Sequence, residues 1–367
     1  MNRPKIRMGK IDFTLFASIM LLLSLGIVLV GSASYNSALW LQKDGFFFLK
    51  RQILWSVLGI MFMMISLNVD YHKLKKYSSL IMLITLILLL AVFAFPAQNG
   101  ARRWIRIGGG ISFQPSEIAK YTVVLYMAKA VEKKGERIKS FFYGVMPFLI
   151  ISGFYAALIL LEKNLSIASV IMLVTVAILI CAGAKSSHIM GLIVLLIIAA
   201  VVFTITEPYR MDRLMSFRNP WANPKTTGYQ LIQSLLSLGS GGILGVGFTK
   251  SRQKNFMPEP HNDFIFSVIG EELGLIGCLI IIILFLIFIW RGIKTAIKAK
   301  DVYGSILAIG ITSVIGVQAI INIAVATGSM PVTGVPLPFI SYGGSSLVFN
   351  MFAMGTLLNV SRQTNTN

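Results

Sequence analysis

Cysteine, histidine and acid are scarce in this chain, with two cysteines, three histidines and 14 aspartates and glutamates among 367 residues. Cys181 and Cys278 lie in apolar runs without a nearby partner, so the sequence predicts buried free thiols and no disulfide framework or zinc site. His72, His188 and His261 are far apart and form no metal spacing. Low-complexity segments and internal repeats are absent. The basic N-terminus, Met1 to Lys10, precedes an apolar run too long for a signal peptide and without a convincing cleavage site, so no cleavable signal is expected.

Apolar sequence fills the chain instead. Hydrophobic residues make up 56% and charged residues 13%, with mean hydropathy +0.78. Runs of about 20 residues recur along the whole length, each long enough to span a bilayer. A β-barrel would show short alternating segments. The expected fold is all-α, a polytopic membrane bundle of ten transmembrane helices forming a single domain over 1–367. The spans fall at roughly 12–33, 50–68, 76–95, 114–132, 141–161, 165–183, 188–206, 263–290, 303–326 and 342–360. Between the seventh and eighth lies a long loop, 207–262.

The net charge of +19 is spread over many short loops, so it marks membrane topology and not a nucleic-acid surface. With the N-terminus inside, the inner segments hold seventeen Lys and Arg against seven in the short outer loops. The positive-inside rule therefore predicts both termini in the cytoplasm and the long loop outside.

Three carboxylates, Asp263, Glu271 and Glu272, begin or interrupt the eighth apolar run. Charges there are costly, which makes the stretch 257–274 the leading functional candidate. Pro258 and Pro260 exclude a helix before Asn262 or Asp263, so Asp263 is expected in the first helical turn. A helix-start charge alone would also account for it.

Three further outer segments are unusual. In Gly100–Lys120, Arg102, Arg103 and Arg106 run against the positive-inside rule, Pro115 suits a helix start, and Glu117 and Lys120 share a helix face. They read as a cationic, carboxylate-buffered mouth or as a snorkelling ion pair, and Trp104 as a wall of that mouth or a membrane-belt residue. In the long loop, Arg213–Trp221 is basic and aromatic. Residues 229–238 read as a short amphipathic or re-entrant helix, with Leu231, Ile232, Leu235, Leu236 and Leu238 on the apolar face. Gln230, Gln233, Ser234 and Ser237 form its polar face. The glycines of 239–247 are no Walker loop, because Phe248 stands where the lysine belongs, but their N–H groups beside Lys250, Arg252 and Lys254 could hold a pyrophosphate. The last segment, 327–346, is rich in proline and glycine. Such irregular backbone is expected to pack on protein or a wet cavity, here the same outer cavity. The physics leads to a polytopic protein handling an anionic lipid on its outer face.

The segments Gly100–Lys120, Gly228–Gly247, Pro258–Gly274 and Gly334–Ser346 closely resemble, in chain order, the SEDS family (shape, elongation, division and sporulation). Ser251-Arg252-Gln253-Lys254 and Glu259-Pro260-His261 look more like the division and sporulation members, FtsW and SpoVE, than RodA. The resemblance implies a peptidoglycan glycosyltransferase of the bacterial cell membrane that polymerises lipid II and releases undecaprenyl pyrophosphate. It further implies a class B penicillin-binding protein as partner, with other divisome or sporulation proteins. No cofactor is required, although a divalent cation could bridge Asp263 and pyrophosphate. The family's essential aspartate falls on Asp263, its Arg-Trp pair on Arg103 and Trp104, and its Gln-Pro-x-Glu-x-x-Lys on Gln114, Pro115, Glu117 and Lys120. The substrate-binding set expected with these adds Arg218, Gln233, Ser234, Lys254, Glu259, His261, Ser341, Gly343 and Gly344. The sequence departs from the family at Asn262 for threonine, Asn219 for aspartate, and Asn164–Ala168 for Asp-Leu-Gly-Thr-Ala. A lipid II flippase, or a division scaffold without bond chemistry, are the alternatives. Transport would need ionisable groups distributed through the bundle to serve both faces.

Overall fold

A computed structural model describes residues 9–97, 100–108, 111–206 and 208–364. Arg3, Lys5 and Arg7 of the basic N-terminus, and Gly109 and Gly110, lie outside the described residues. Among the described residues the regular structure is helical apart from one hairpin. In order come α1 (Phe13–Gln42), α2 (Phe47–Asn68), α3 (Tyr71–Ala91), β1 (Ile105–Gly108), β2 (Ile111–Phe113) and α4 (Pro115–Lys134). They are followed by α5 (Met146–Leu161), α6 (Leu165–Cys181), α7 (Ser186–Ile205), α8 (Pro208–Arg218) and α9 (Tyr229–Gly241). The chain closes with α10 (Ile265–Ile297), α11 (Val302–Ala326) and α12 (Gly344–Thr364). Among the described residues seven helices are long and apolar enough to cross a membrane, and α6 is a shorter apolar helix. This is a multi-pass membrane protein.

Local chemistry starts the helices where the sequence suggests. Asp12, Asn164 and Asp301 cap α1, α6 and α11, each accepting a hydrogen bond from a backbone N–H three residues on, and Pro115 opens α4. α11 is the most enclosed of the seven apolar spans and packs on α10, α4 and α6, while α2 and α12 pair along their length. β1 and β2 pair antiparallel, with Ile105 opposite Phe113, and this hairpin was not expected from the sequence.

α10 is broken at Gly274, whose φ of 67° and ψ of −164° are not helical. The glycine segment after α9 fills the break. Val246 and Gly247 donate to the carbonyls of Glu271 and Glu272 (2.9 and 3.1 Å), and Leu275 and Ile276 donate to Gly242 and Ile243 (2.9 and 3.3 Å). The groups that a helix break leaves open are thus satisfied by protein, as apolar surroundings demand. This corrects the expectation of a phosphate cradle: Gly245, Val246, Gly247 and Lys250 all donate to backbone carbonyls.

Other expectations also change. Cys181 is exposed, and only Cys278 is buried. Asp263 precedes α10 by two residues instead of sitting in its first turn, because Phe264 caps the helix. In α9 two residues of the expected polar face are enclosed by protein. Ser234 and Ser237 are fully buried and Leu236 is exposed. Ser234 Oγ lies 2.5 Å from Ser267 Oγ and donates to the Ala326 carbonyl (2.6 Å), and Ser237 Oγ donates to Glu271 (2.9 Å). Leu231 and Ile232 of the apolar face are buried as well, so α9 is enclosed on both sides, and neighbouring helices supply the hydrogen-bond partners that its buried serines need.

Candidate functional site

One end of the bundle encloses a cavity of about 330 Å³. Its walls come from the starts of α2, α4, α6 and α12, from β2 and α11, the segment ahead of β1, the turn ahead of α10 and the proline-rich segment after α11. Arg103, Trp104, Gln114, Glu117, Asp263, Gly343 and Gly344 all line it. These residues span some 240 positions of sequence and meet in one place.

Asp263 is fixed through its backbone. Asn322 of α11 donates from one amide nitrogen to the carbonyls of Asp263 and Val335 (2.8 Å each). Ser341 donates to the Asn262 carbonyl (2.7 Å) and accepts from the Leu337 N–H (2.8 Å). The carboxylate comes so close to Gly334 that a Cβ there would stand 3.3 Å from Oδ2, and Gly334 has φ +76°. Asp263 is open to the cavity yet enclosed by protein elsewhere. That enclosure, with Glu259 nearby, raises its pKa from 3.8 to about 6, against the pull of Arg213 and Arg103. A carboxylate so tuned is charged at neutral pH and still basic enough to take a proton.

Arg103 faces the same cavity. Its guanidinium is seated on the C-terminal carbonyls of α5, donating to Glu162 O (3.3 Å) and Lys163 O. Lys120 and Glu117 form a buried ion pair at 2.8 Å, with Lys120 at 1% exposure behind Glu117. The pair is buried and is therefore not a snorkelling one: Glu117 meets the cavity beside Arg103 and Trp104, and Lys120 pairs with it from behind.

His261 is buried, packs tilted against Phe48 with ring centroids 4.3 Å apart, and helps line a second cavity of about 690 Å³ together with Glu259, Trp40 and Asn255. Burial lowers its pKa to about 4, so it is uncharged at neutral pH. Asn262 and Tyr342 line both cavities and form the partition between them.

Four expected ligands lie elsewhere. Lys254 is buried and paired with Glu272 (2.8 Å), and also donates to Thr249 O (2.8 Å); Glu272 accepts from Ser32 as well. Lys254 therefore ties the long loop to α10 and α1. Ser234 bonds within the bundle, Gln233 is on α9 away from the cavity walls, and Arg218 is exposed at the end of α8. The cation of that stretch whose charge reaches Asp263 is Arg213, which also donates to Val332 O (2.9 Å). Ser341 stays near the site but acts on the Asn262 backbone.

The sequence reading missed Arg51 and Trp55 of α2, Asn164 of α6 and Gln318 of α11, all cavity walls. Gln318 and Asn322 did carry a signal, two amides one helical turn apart in an apolar run. Among the described residues no group of three or more His, Cys, Asp or Glu could hold a metal ion.

Comparison with known proteins agrees with this geometry. The chain is 42% identical over 355 residues to "Probable peptidoglycan glycosyltransferase FtsW" of Geobacter metallireducens, covering 95% of this chain and 94% of the relative. It is equally identical, 42% over 355 residues, to "Stage V sporulation protein E" of Bacillus subtilis, covering 96% and 97%. A chain of a peptidoglycan synthase complex, described for the coordination of polymerization and crosslinking, superposes with TM-score 0.82 at 26% identity, covering 97% of this chain and 99% of that one. The rod shape determining protein RodA of Thermus thermophilus superposes with TM-score 0.71 at 26% identity, covering 97% and 98%. The profile of the FtsW, RodA and SpoVE family, described as cell cycle protein, matches residues 13–366, and the chain belongs to that family.

Proposed function

We propose that the protein is a peptidoglycan glycosyltransferase that polymerises lipid II on the outer face of the cytoplasmic membrane. The observation that carries this reading is Asp263, basic and backbone-anchored, in a cavity that also presents Arg51 and Arg103. Relatives named for the same activity over nearly the whole chain support it. Ten spans follow if α4, α6 and α12 cross the membrane with the seven long apolar helices. The cation distribution then puts both termini in the cytoplasm and the Asp263 cavity outside.

In the reaction, Asp263 takes the proton of the acceptor's 4-hydroxyl. The oxygen attacks the anomeric carbon of the donor sugar, the bond to undecaprenyl pyrophosphate breaks, and the leaving group departs with its electron pair. One displacement at an α-linked donor gives a β-1,4 link. Arg103 and Arg51 offset the charge that grows on the departing pyrophosphate, where planar guanidinium groups give bidentate contacts. Glu117, held by Lys120, and Gln114 orient sugar hydroxyls. A divalent cation at Asp263 would take most of its ligands from pyrophosphate and water, since the nearby carboxylates make no cage. A class B penicillin-binding protein is the partner that would crosslink the product.

The test is polymerisation by the purified protein with lipid II and that partner, comparing wild type with folded Asp263→Asn. Glycan chains from wild type alone support the reading. Equal polymer from both moves the base elsewhere. Lipid II transport across vesicles without polymer from either would make the protein a flippase.

A further inference from the structure

The wall behind Arg103 contains a carboxyl that the mechanism above does not use. Glu162 follows the last residue of α5 with 0% exposure, and its carboxyl faces the Ser116 hydroxyl of α4 without a donor at full hydrogen-bonding geometry among the described residues. Its own carbonyl and that of Lys163 form the seat of the Arg103 guanidinium. Lys163 holds φ +60° as the left-handed residue that ends α5, with the N–H groups of Lys163 and Asn164 donating to Leu160 O (2.8 Å) and Ile159 O (3.1 Å), and this turn brings the second carbonyl to Arg103. A buried acid therefore lies beside the carbonyls that hold one arginine.

Among the described residues, the Ser116 hydroxyl and the Arg103 charge are what favour the ionised form of this carboxyl, and burial outweighs them. Burial accordingly pushes Glu162 up to about 8, and the groups that act on it in the opposite sense are Arg103 from the segment ahead of β1 and Ser116 from α4. At neutral pH the acid keeps its proton. The negative end of α5 and two neutral carbonyls then hold the guanidinium without cancelling its charge. Were Glu162 ionised, a full negative charge would sit next to the same guanidinium and compete with any anion in the cavity.

We propose that Glu162 is a positioning residue for Arg103: as a neutral acid behind the α5 carbonyl seat it lets the guanidinium serve an anionic group in the Asp263 cavity, and as a carboxylate it withdraws it. The anion is a pyrophosphate of the kind that the polymerase reading requires, so the catalytic readout rests on that reading. The binding readout does not.

The experiment uses the full-length protein in detergent with its partner. Polymerisation of lipid II and binding of undecaprenyl pyrophosphate are each measured at pH 7 and pH 9 for wild type, Glu162→Gln, Glu162→Ala, Arg103→Ala and the Glu162→Gln/Arg103→Ala double variant. Thermal melts confirm that each is folded. An acid with its midpoint near 8 is mostly protonated at pH 7 and mostly ionised at pH 9, so wild type should lose about tenfold in both readouts between them. Glu162→Gln, which cannot ionise, should show less than a twofold change from this source and should outperform Glu162→Ala. In the Arg103→Ala background, Glu162→Gln should leave the pH 9 to pH 7 ratio unaltered, because the arginine is the route of the effect. An identical alkaline fall in wild type and Glu162→Gln overturns the proposal, as does a Glu162→Gln effect that persists without Arg103. Pyrophosphate binding that responds as expected in a protein that makes no polymer at any pH would leave the positioning role standing and remove the polymerase reading.

Discussion

The side chain of Asn322 donates to the main-chain carbonyls of both Asp263 and Val335, at 2.8 Å each. One amide near the cavity end of α11 thus joins the turn ahead of α10 to the proline-rich segment that faces it. Asn322→Ala leaves two carbonyls without a donor, each costing about 1–3 kcal/mol where water cannot reach. We expect a lower melting temperature and a fall in kcat larger than the change in KM. A misplacement of about 1 Å at a reacting group can cost about a hundredfold. Melting curves and initial polymerisation rates check both.

Asp263 carries opposed effects on stability and rate. Its folded pKa of about 6 lies above the ordinary 3.8, so the folded state binds this proton more tightly than the unfolded chain. The resulting stabilisation is complete below 3.8 and is lost as pH rises through 6. At pH 7.5 the ionised group costs up to about 3 kcal/mol relative to a neutral one. Asp263→Asn is therefore expected to melt higher than wild type at pH 7.5 and at much the same temperature at pH 3.5, while making no polymer. Wild-type polymerisation should rise with pH through an apparent value near 6, the point at which half of the base is free of its proton. A rate flat between pH 5 and 7 would remove Asp263 from the role of base.

Lys254 and Glu272 test whether a loop cation serves substrate or fold. The pair is buried at 2.8 Å. Removing one partner should destabilise by about 3–5 kcal/mol, since the other charge is left alone in an apolar site. Lys254→Met and Glu272→Gln should each lower the melting temperature sharply, and the double variant should recover most of the loss. If Lys254→Met instead kept its stability and raised KM for lipid II, the lysine would belong to the substrate.

At Gly274 a side chain has no room. A Cβ there would lie 2.4 Å from both Gly245 N and Ile243 O, at φ +67°. Gly274→Ala should prevent the 242–247 segment from entering α10, and the protein should fail to accumulate in the membrane. Normal yield and melting of this variant would show that the break in α10 can close without the segment.

Much of the site was legible because its chemistry is at odds with its setting. Arginines on the side of the membrane where few belong, an aspartate ahead of an apolar run, and prolines that forbid a helix there all mark positions whatever the fold does with them. Arg103, Gln114, Glu117, Asp263, Gly343 and Gly344 meet on that basis. Lys254, Ser234 and Arg218 failed because type and neighbourhood in sequence do not reveal which partner a side chain finds. Lys254 looks like a loop cation until Glu272 is seen beside it, and Ser234 looks solvated until Ser267 and Ala326 supply its partners.

Composition and periodicity by themselves determined that this is a helical membrane protein, where its apolar runs lie, and which short segments carry charge that the bilayer would not tolerate without cause. Those properties are local: they follow from transfer of each residue between water and hydrocarbon, and from the fixed backbone of proline. Tertiary structure alone decided which serines face inward, that the glycine segment mends a broken helix, that Arg213 and not Arg218 reaches Asp263, and that Glu162 stands behind Arg103. Each of these depends on a partner far away in the chain, and the free energy of a buried polar group is set by that partner far more than by the group's own identity.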